Sequence, residues 1–269
     1  MDQSASPGAN GSVLRVEGVS KSFGGVRAVA DCHVTVAERS ITGLIGPNGS
    51  GKTTLFNVIT GMAPADAGAT YFRGRNILGL KPHEIFRLGM SRTFQITRVF
   101  RKMTVMENLR VATPPGKSTT TVRAWAEELL KLFDLWELRD RFAEDTSYGQ
   151  QKLLEFAGLT AFAGEYAANL SYGQQKLLEF VRALVPDPDL ILLDEPFAGV
   201  NRVMAQKLVE LIRRFQARGT TFFLIDHEMK IVMEICDWIY VMDFGRVIAQ
   251  GGPDVVRSDP RVLEAYFGR

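Results

Sequence analysis

Long apolar runs are missing from this sequence. No stretch approaches the ~20 residues that cross a bilayer as a helix, so any work at a membrane needs another subunit to do the spanning. No charged-then-apolar leader opens the chain, and a cytosolic location is the expectation. Cysteine is scarce. Cys32 and Cys236 form no C-x-x-C pair and no metal-ligand spacing, which excludes a disulfide framework and a zinc module and fits buried thiols of a reducing compartment. An excess of one charge is also lacking. A formal net charge of +2 over 269 residues offers no bulk attraction for nucleic acid, and none is expected as a partner.

What is present is an ordinary globular composition, 46% hydrophobic and 23% charged, long enough for one large domain or two small ones. Residues 1–12 are rich in Gly, Ser, Ala, Asn and Pro without apolar periodicity and read as a disordered tail. From Val13 to Arg269 the chain reads as one ordered domain. Residues 13–19, 33–36 and 69–72 read as strands of a small antiparallel sheet, with Phe23 in a loop of that region, by itself an ordinary core aromatic. Residues 93–170 are helical in character, with Val122, Trp125, Ala126, Leu129, Leu130 and Phe133 at helical spacing, and read as a helical insert.

The organising stretch is Gly46-Pro47-Asn48-Gly49-Ser50-Gly51-Lys52-Thr53, which fits G-x-x-x-x-G-K-S/T. Glycines let successive backbone N–H groups turn inward onto phosphate oxygens. Lys52 adds a point charge at the β/γ-phosphates, and the Thr53 hydroxyl is placed to hold Mg²⁺. Residues 41–45 read as a buried strand entering this loop. Residues 53–59, from Thr53 and Thr54 onward, read as a helix leaving it, so that a helix N-terminus also faces the anion.

Residues 190–194 form a continuous apolar run ending in Asp194, the profile of a central parallel strand. Met204, Leu208, Leu211, Ile212 and Phe215 line one helix face, and residues 221–226 read as a second buried strand. Strand, helix and strand imply a doubly wound parallel core. Asp194, at the carboxyl edge of a strand beside the loop, is suited to hold Mg²⁺ through water, and Glu195 to polarise an attacking water. His227 ends the other strand, either structural or within reach of the same nucleotide. Gln95 is either a ligand of Mg²⁺ or the lytic water, or an ordinary surface amide. Leu170-Ser171-Tyr172-Gly173-Gln174 precedes a helix and reads as a second anion-binding N-terminus. One chain has no need of two γ-phosphate sites unless the second serves another molecule's nucleotide.

In their order, these motifs identify a resemblance. From Val13 to Arg269 the chain resembles the ATP-binding subunit of ABC transporters, on the phosphate loop, Gln95, the Ser171-to-Gln174 signature, Asp194-Glu195 and His227. The resemblance implies a P-loop NTPase fold of the α/β class, with a RecA-like parallel core, an antiparallel β-subdomain and a helical subdomain. It implies that two subunits, identical or different, sandwich two ATPs head to tail with Mg²⁺. Residues 46–54 then hold one nucleotide, Phe23 stacks on its adenine, and Ser171, Gly173 and Gln174 complete the partner's site. Glu195 matches the catalytic base, His227 the γ-phosphate switch, and Gln95 the residue coupling nucleotide state to transmembrane permease subunits. A solute-binding protein is implied indirectly. Residues 91–95, 198–201 and 259–268 look like the branched-chain amino acid uptake subfamily; related urea, amide and lipopolysaccharide systems share parts of them. A soluble ABC ATPase and a P-loop kinase are the rival readings. The kinase leaves the signature and His227 without a role. Asn201 stands where most members carry Asp.

One oddity is a repeat. Residues 147–156 read Ser-Tyr-Gly-Gln-Gln-Lys-Leu-Leu-Glu-Phe and recur unchanged at 171–180. The second copy runs through one helix to the Asp194 strand and is expected to be the working signature. The first is expected to be an extra helix and turn.

Overall fold

Three five-residue strands in which every residue is buried lie inside the larger sheet: β3 (Ile41–Ile45), β7 (Leu190–Asp194) and β8 (Thr221–Ile225). Their sequences, ITGLI, LILLD and TFFLI, are apolar on both faces, as strands covered on both sides require. In the computed structural model, which describes residues 11–94, 98–103, 108, 111–112, 159–164 and 170–267, they pair in parallel. Short β6 (Met90–Arg92) also pairs parallel, with β7, while β9 (Trp238–Asp243) pairs parallel with β3 and antiparallel with β10 (Arg246–Gly251). The six-stranded order is β10-β9-β3-β8-β7-β6. β8 therefore lies between the phosphate-loop strand and the Asp194 strand.

A second sheet, β2-β1-β4-β5, is antiparallel. It comprises β1 (Ser12–Phe23), β2 (Val26–Ala37), β4 (Ala67–Phe72) and β5 (Arg75–Asn76). β1 starts inside the stretch read as a tail: Ser12 pairs with Ala37, and the Gly11 carbonyl accepts from the Glu38 N–H. Phe23 is the last residue of β1, not a loop residue, and pairs with Val26 across the Gly24-Gly25 turn. One buried cluster joins the two sheets, with Leu14, Val16 and Val34 from one, and Leu44, Leu192, Phe223 and Tyr240 from the other. The Tyr240 hydroxyl accepts from the Thr35 N–H and donates to the Thr35 carbonyl, both at 3.0 Å, so its polar end is satisfied inside the core.

The helices are α1 (Lys52–Ile59), α2 (Pro82–Arg87), α3 (Tyr172–Leu184), α4 (Arg202–Ala217), α5 (Met229–Ile235), α6 (Pro253–Ser258) and α7 (Pro260–Phe267) among the described residues. α4 buries Leu208, Leu211, Ile212 and Phe215 at the expected spacing. The chain divides into two compact units. One contains residues 1–95, 189–198 and 208–269, with both sheets; the other contains residues 96–188 and 199–207, with α3 and the start of α4. Most of the stretch read as a helical insert, including the apolar face from Val122 to Phe133 and the first copy of the repeat, lies outside the described residues.

Candidate active site

The phosphate loop leaves β3 at Gly46 and enters α1 at Gly51. Both glycines are required. Gly46 (φ +151°) and Gly51 (φ +104°) have backbone conformations that side chains rarely adopt. A Cβ on Gly46 would stand 2.0 Å from the Met242 carbonyl oxygen, and one on Gly51 2.1 Å from that of Ala28. The loop is thus pressed against the end of β9 and against β2, and the Gly245 N–H also donates to the Ser50 carbonyl at 2.9 Å. Asn48, Gly49 and Thr53 are exposed, Thr54 half-buried and Ser50 buried. The first turn of α1 carries no acidic residue, so its unpaired N–H groups keep their attraction for an anion.

Lys52 is buried, and its ammonium donates to the carbonyls of Gly46 and Pro47, each at 2.8 Å, and to Ser50 Oγ at 3.2 Å. Burial pulls its pKa below the ordinary lysine value, and the negative charges of Glu195 and Asp194 work in the opposite direction. The loop cation and the acidic pair therefore share one electrostatic neighbourhood.

Asp194 ends β7 with its side chain 2% exposed. Its Oδ2 accepts from Arg92 Nη2 at 2.7 Å, while Oδ1 is buried without a partner among the described residues. Glu195 turns the chain with φ +49°, a left-handed conformation for a residue with a side chain, held by its N–H donating to the Ile225 carbonyl at 2.8 Å. This turn aims Glu195 Oε2 to 3.7 Å from His227 Nδ1, too long for a direct hydrogen bond yet within the span of one reacting group. Asp226 fixes both turns. Fully buried, it accepts from the Phe197 N–H at 3.0 Å and the Glu228 N–H at 2.9 Å. Burial raises its pKa, against the lowering effect of those N–H groups and of His227. Sequence reasoning saw Asp226 only as the end of a strand; a carboxylate closing an apolar run was the available signal.

Phe23 is 53% exposed, which rules out the core role. The Lys21 ammonium lies 5.2 Å from its ring centre. In the other unit, Ser171 caps α3 reciprocally with Gln174. Ser171 N–H donates to Gln174 Oε1 at 2.8 Å, and Gln174 N–H donates to Ser171 Oγ at 3.4 Å. Gln174's amide oxygen is thereby engaged within the signature itself. A Cβ on Gly173 would meet Met204 at 3.4 Å. Asn201 accepts from the Met204 N–H at 2.9 Å, capping α4, a duty that Asn and Asp perform equally well. Gln95 lies outside the described residues.

Lys52, Asp194, Glu195 and His227 thus stand at the carboxyl edge of the parallel strands, where ligands bind in open α/β sheets. The family model described as ABC transporter matches residues 29–198, from the phosphate loop through Asp194 and Glu195. The chain belongs to the ABC transporter family. A second model, branched-chain amino acid ATP-binding cassette transporter, matches residues 246–269 of this ABC ATPase. The chain is 40% identical to the high-affinity branched-chain amino acid transport ATP-binding protein LivG of Salmonella typhimurium, over 95% of this chain and 98% of that one. It is 39% identical to BraF of Pseudomonas aeruginosa, with the same coverage. Among solved structures, a nucleotide-free ATP-binding cassette from an ABC transporter superposes with a TM-score of 0.78 at 36% identity, covering 96% of this chain and 100% of that one. The ADP conformation of MJ1267, an ATP-binding cassette of an ABC transporter, gives 0.77 at 37% identity, with 96% and 99% covered. The fold and the ATPase assignment implied by the ordered motifs stand. No helix among the described residues is long and apolar enough to cross a membrane.

Proposed function

We propose that this ABC ATPase powers uptake of branched-chain amino acids, docked on the inner face of the cell membrane against separate permease subunits that a solute-binding protein supplies. Two ATP-binding subunits close on two ATPs, and hydrolysis reopens them. The observation that carries the reading is the convergence of Lys52, Asp194 and the Glu195–His227 pair at one sheet edge. The similarity to LivG and BraF supports the solute.

Each residue has a task in this reading. The loop N–H groups and Lys52 hold the phosphates, and Phe23 offers an exposed ring for adenine. Mg²⁺ fits the donor set: the unpartnered buried Oδ1 of Asp194 is a hard oxygen ligand, and the exposed Thr53 hydroxyl is another. Bound there, the ion neutralises phosphate charge. Glu195 takes the proton of the attacking water, and His227 contacts the γ-phosphate. Ser171 and Gly173 complete the partner's site, and Gln95 passes the nucleotide state to the permeases. Residues 95–105, of which 95–97 and 104–105 lie outside the described residues, are the docking stretch in this reading; within it Phe100 is half exposed and lies against the Arg182 guanidinium, 5.3 Å from the ring centre.

Glu195→Gln tests the chemistry. It removes the base while keeping the shape, so ATP hydrolysis falls by roughly 10²- to 10⁴-fold while ATP binding and the ATP-dependent dimer persist; a variant that still turns over ATP refutes the assignment. Proteoliposomes test the solute. ATPase activity rises when the cognate receptor is loaded with leucine, isoleucine or valine. Stimulation by urea or an amide instead moves the chain to one of those systems.

A further inference from the structure

Resting on the reading of Asp194 as the Mg²⁺ ligand, we propose that Arg92 is a positioning residue that locks the Asp194 carboxylate to the phosphate-loop helix, so that only Oδ1 is offered to the ion. Arg92 is the last residue of β6, paired with Leu192 of β7. Its side chain is 7% exposed. The guanidinium works in two directions. Nη2 donates to Asp194 Oδ2 at 2.7 Å; Nη1 donates to Asn57 Oδ1 at 2.8 Å and to Thr60 Oγ1 at 2.9 Å. Asn57 lies within α1 and Thr60 caps its C-terminus, so both belong to the helix that starts with Lys52 and Thr53. The ring centres of Phe56 and Phe94 stand 5.8 and 5.3 Å from the guanidinium carbon, which restricts its tilt.

The consequence is geometric. Of the three residues read as holding the metal, Thr53 and Asp194 sit on different elements: Thr53 on α1, which follows β3, and Asp194 at the end of β7, with β8 between those two strands. Arg92 joins these elements through a rigid planar fork that a lysine cannot reproduce. Mg²⁺ tolerates little departure from octahedral geometry, whereas Ca²⁺ accepts longer and more variable bonds. A carboxylate freed to rotate therefore penalises Mg²⁺ more than Ca²⁺. A purely structural ion pair weakens the fold but has no reason to discriminate between the two ions.

The test measures the affinity of a fluorescent ATP analogue for the full chain in EDTA, in Mg²⁺ and in Ca²⁺. The wild type gives a Mg²⁺-dependent gain in affinity over EDTA. Arg92→Met reduces that gain at least fivefold and the Ca²⁺-dependent gain by less, and Arg92→Lys, which retains the charge and carries the test where Arg92→Met fails to fold, also lowers the Mg²⁺-to-Ca²⁺ ratio. With Asp194→Asn already present, Arg92→Lys changes the ratio no further. An unchanged ratio in Arg92→Lys, or losses that add to those of Asp194→Asn, overturns the inference and leaves the metal reading intact. A wild type indifferent to Mg²⁺ overturns both.

Discussion

Lys52 shows how one side chain balances stability against use. Its ammonium is buried among loop carbonyls and held below the ordinary lysine pKa of 10.5 by desolvation. The charged form is therefore the costly one in the folded chain. A pKa lowered on folding means that the unfolded chain binds more protons between the folded value and 10.5, so this group's contribution rises as pH climbs through that window. Lys52→Met lacks the effect. Urea titrations are expected to show the variant's stability relative to wild type declining between pH 7 and pH 10, and its ATP affinity at pH 7 reduced roughly 10- to 100-fold through loss of charge-assisted bonds to phosphate. At this scale the sequence was informative where chemistry sits in a contiguous motif, as in residues 46–53, and at Asp194 and Glu195. It was silent on Arg92 and Asp226. Their partners, Asn57 and Asp194 for the first and Phe197 for the second, become neighbours only after β6, β7 and β8 align.

Among elements, the best-read ones were those with the simplest environment. β3, β7 and β8 are buried on both faces and appear in the sequence as unbroken apolar runs. β1 was read too short, at 13–19 in place of Ser12–Phe23, because register shifts after Val16 and again near Lys21 break the alternation on which the reading depends. Three-residue β6 is too brief to show any period, and α2 and α7 were passed over within loops and an end motif. Two element-scale outcomes are expected. Gly51→Ala forces a Cβ into the Ala28 carbonyl at positive φ; a loss above about 2 kcal/mol in denaturant unfolding, with ATP binding impaired, follows. Ser171→Ala removes the α3 cap, costing about 1 kcal/mol, and impairs ATP turnover, whereas Ser147→Ala in the first copy leaves turnover largely intact. The reverse ranking in an ATPase assay assigns the signature to the first copy.

For the whole molecule, the two thiols serve as built-in reporters. Cys32 is inaccessible on β2, where burial and then the charge of Asp31 push its pKa up to about 12. Cys236 caps α5, and burial raises its pKa as well. Since the thiolate is the reactive form, both are expected to resist an aromatic disulfide reagent at pH 8 and to react fully in denaturant. Their slow native-state labelling then measures the opening of each sheet separately, Cys32 for the antiparallel one and Cys236 for the parallel one. Bound ATP is expected to slow both; labelling at Cys236 alone that ignores ATP separates the parallel sheet's opening from nucleotide binding.

The order of strands in the larger sheet also bears on synthesis. β3 is flanked by β8 and β9, both made after most of the chain has emerged from the ribosome, and Asp194, Glu195 and His227 arrive equally late. A nascent polypeptide that already carries the whole phosphate loop has β2 beside it but neither of β3's partners in the sheet, and no acidic pair to complete the site. The site is therefore expected to be completed only late, when β8 and β9 take their places on either side of β3.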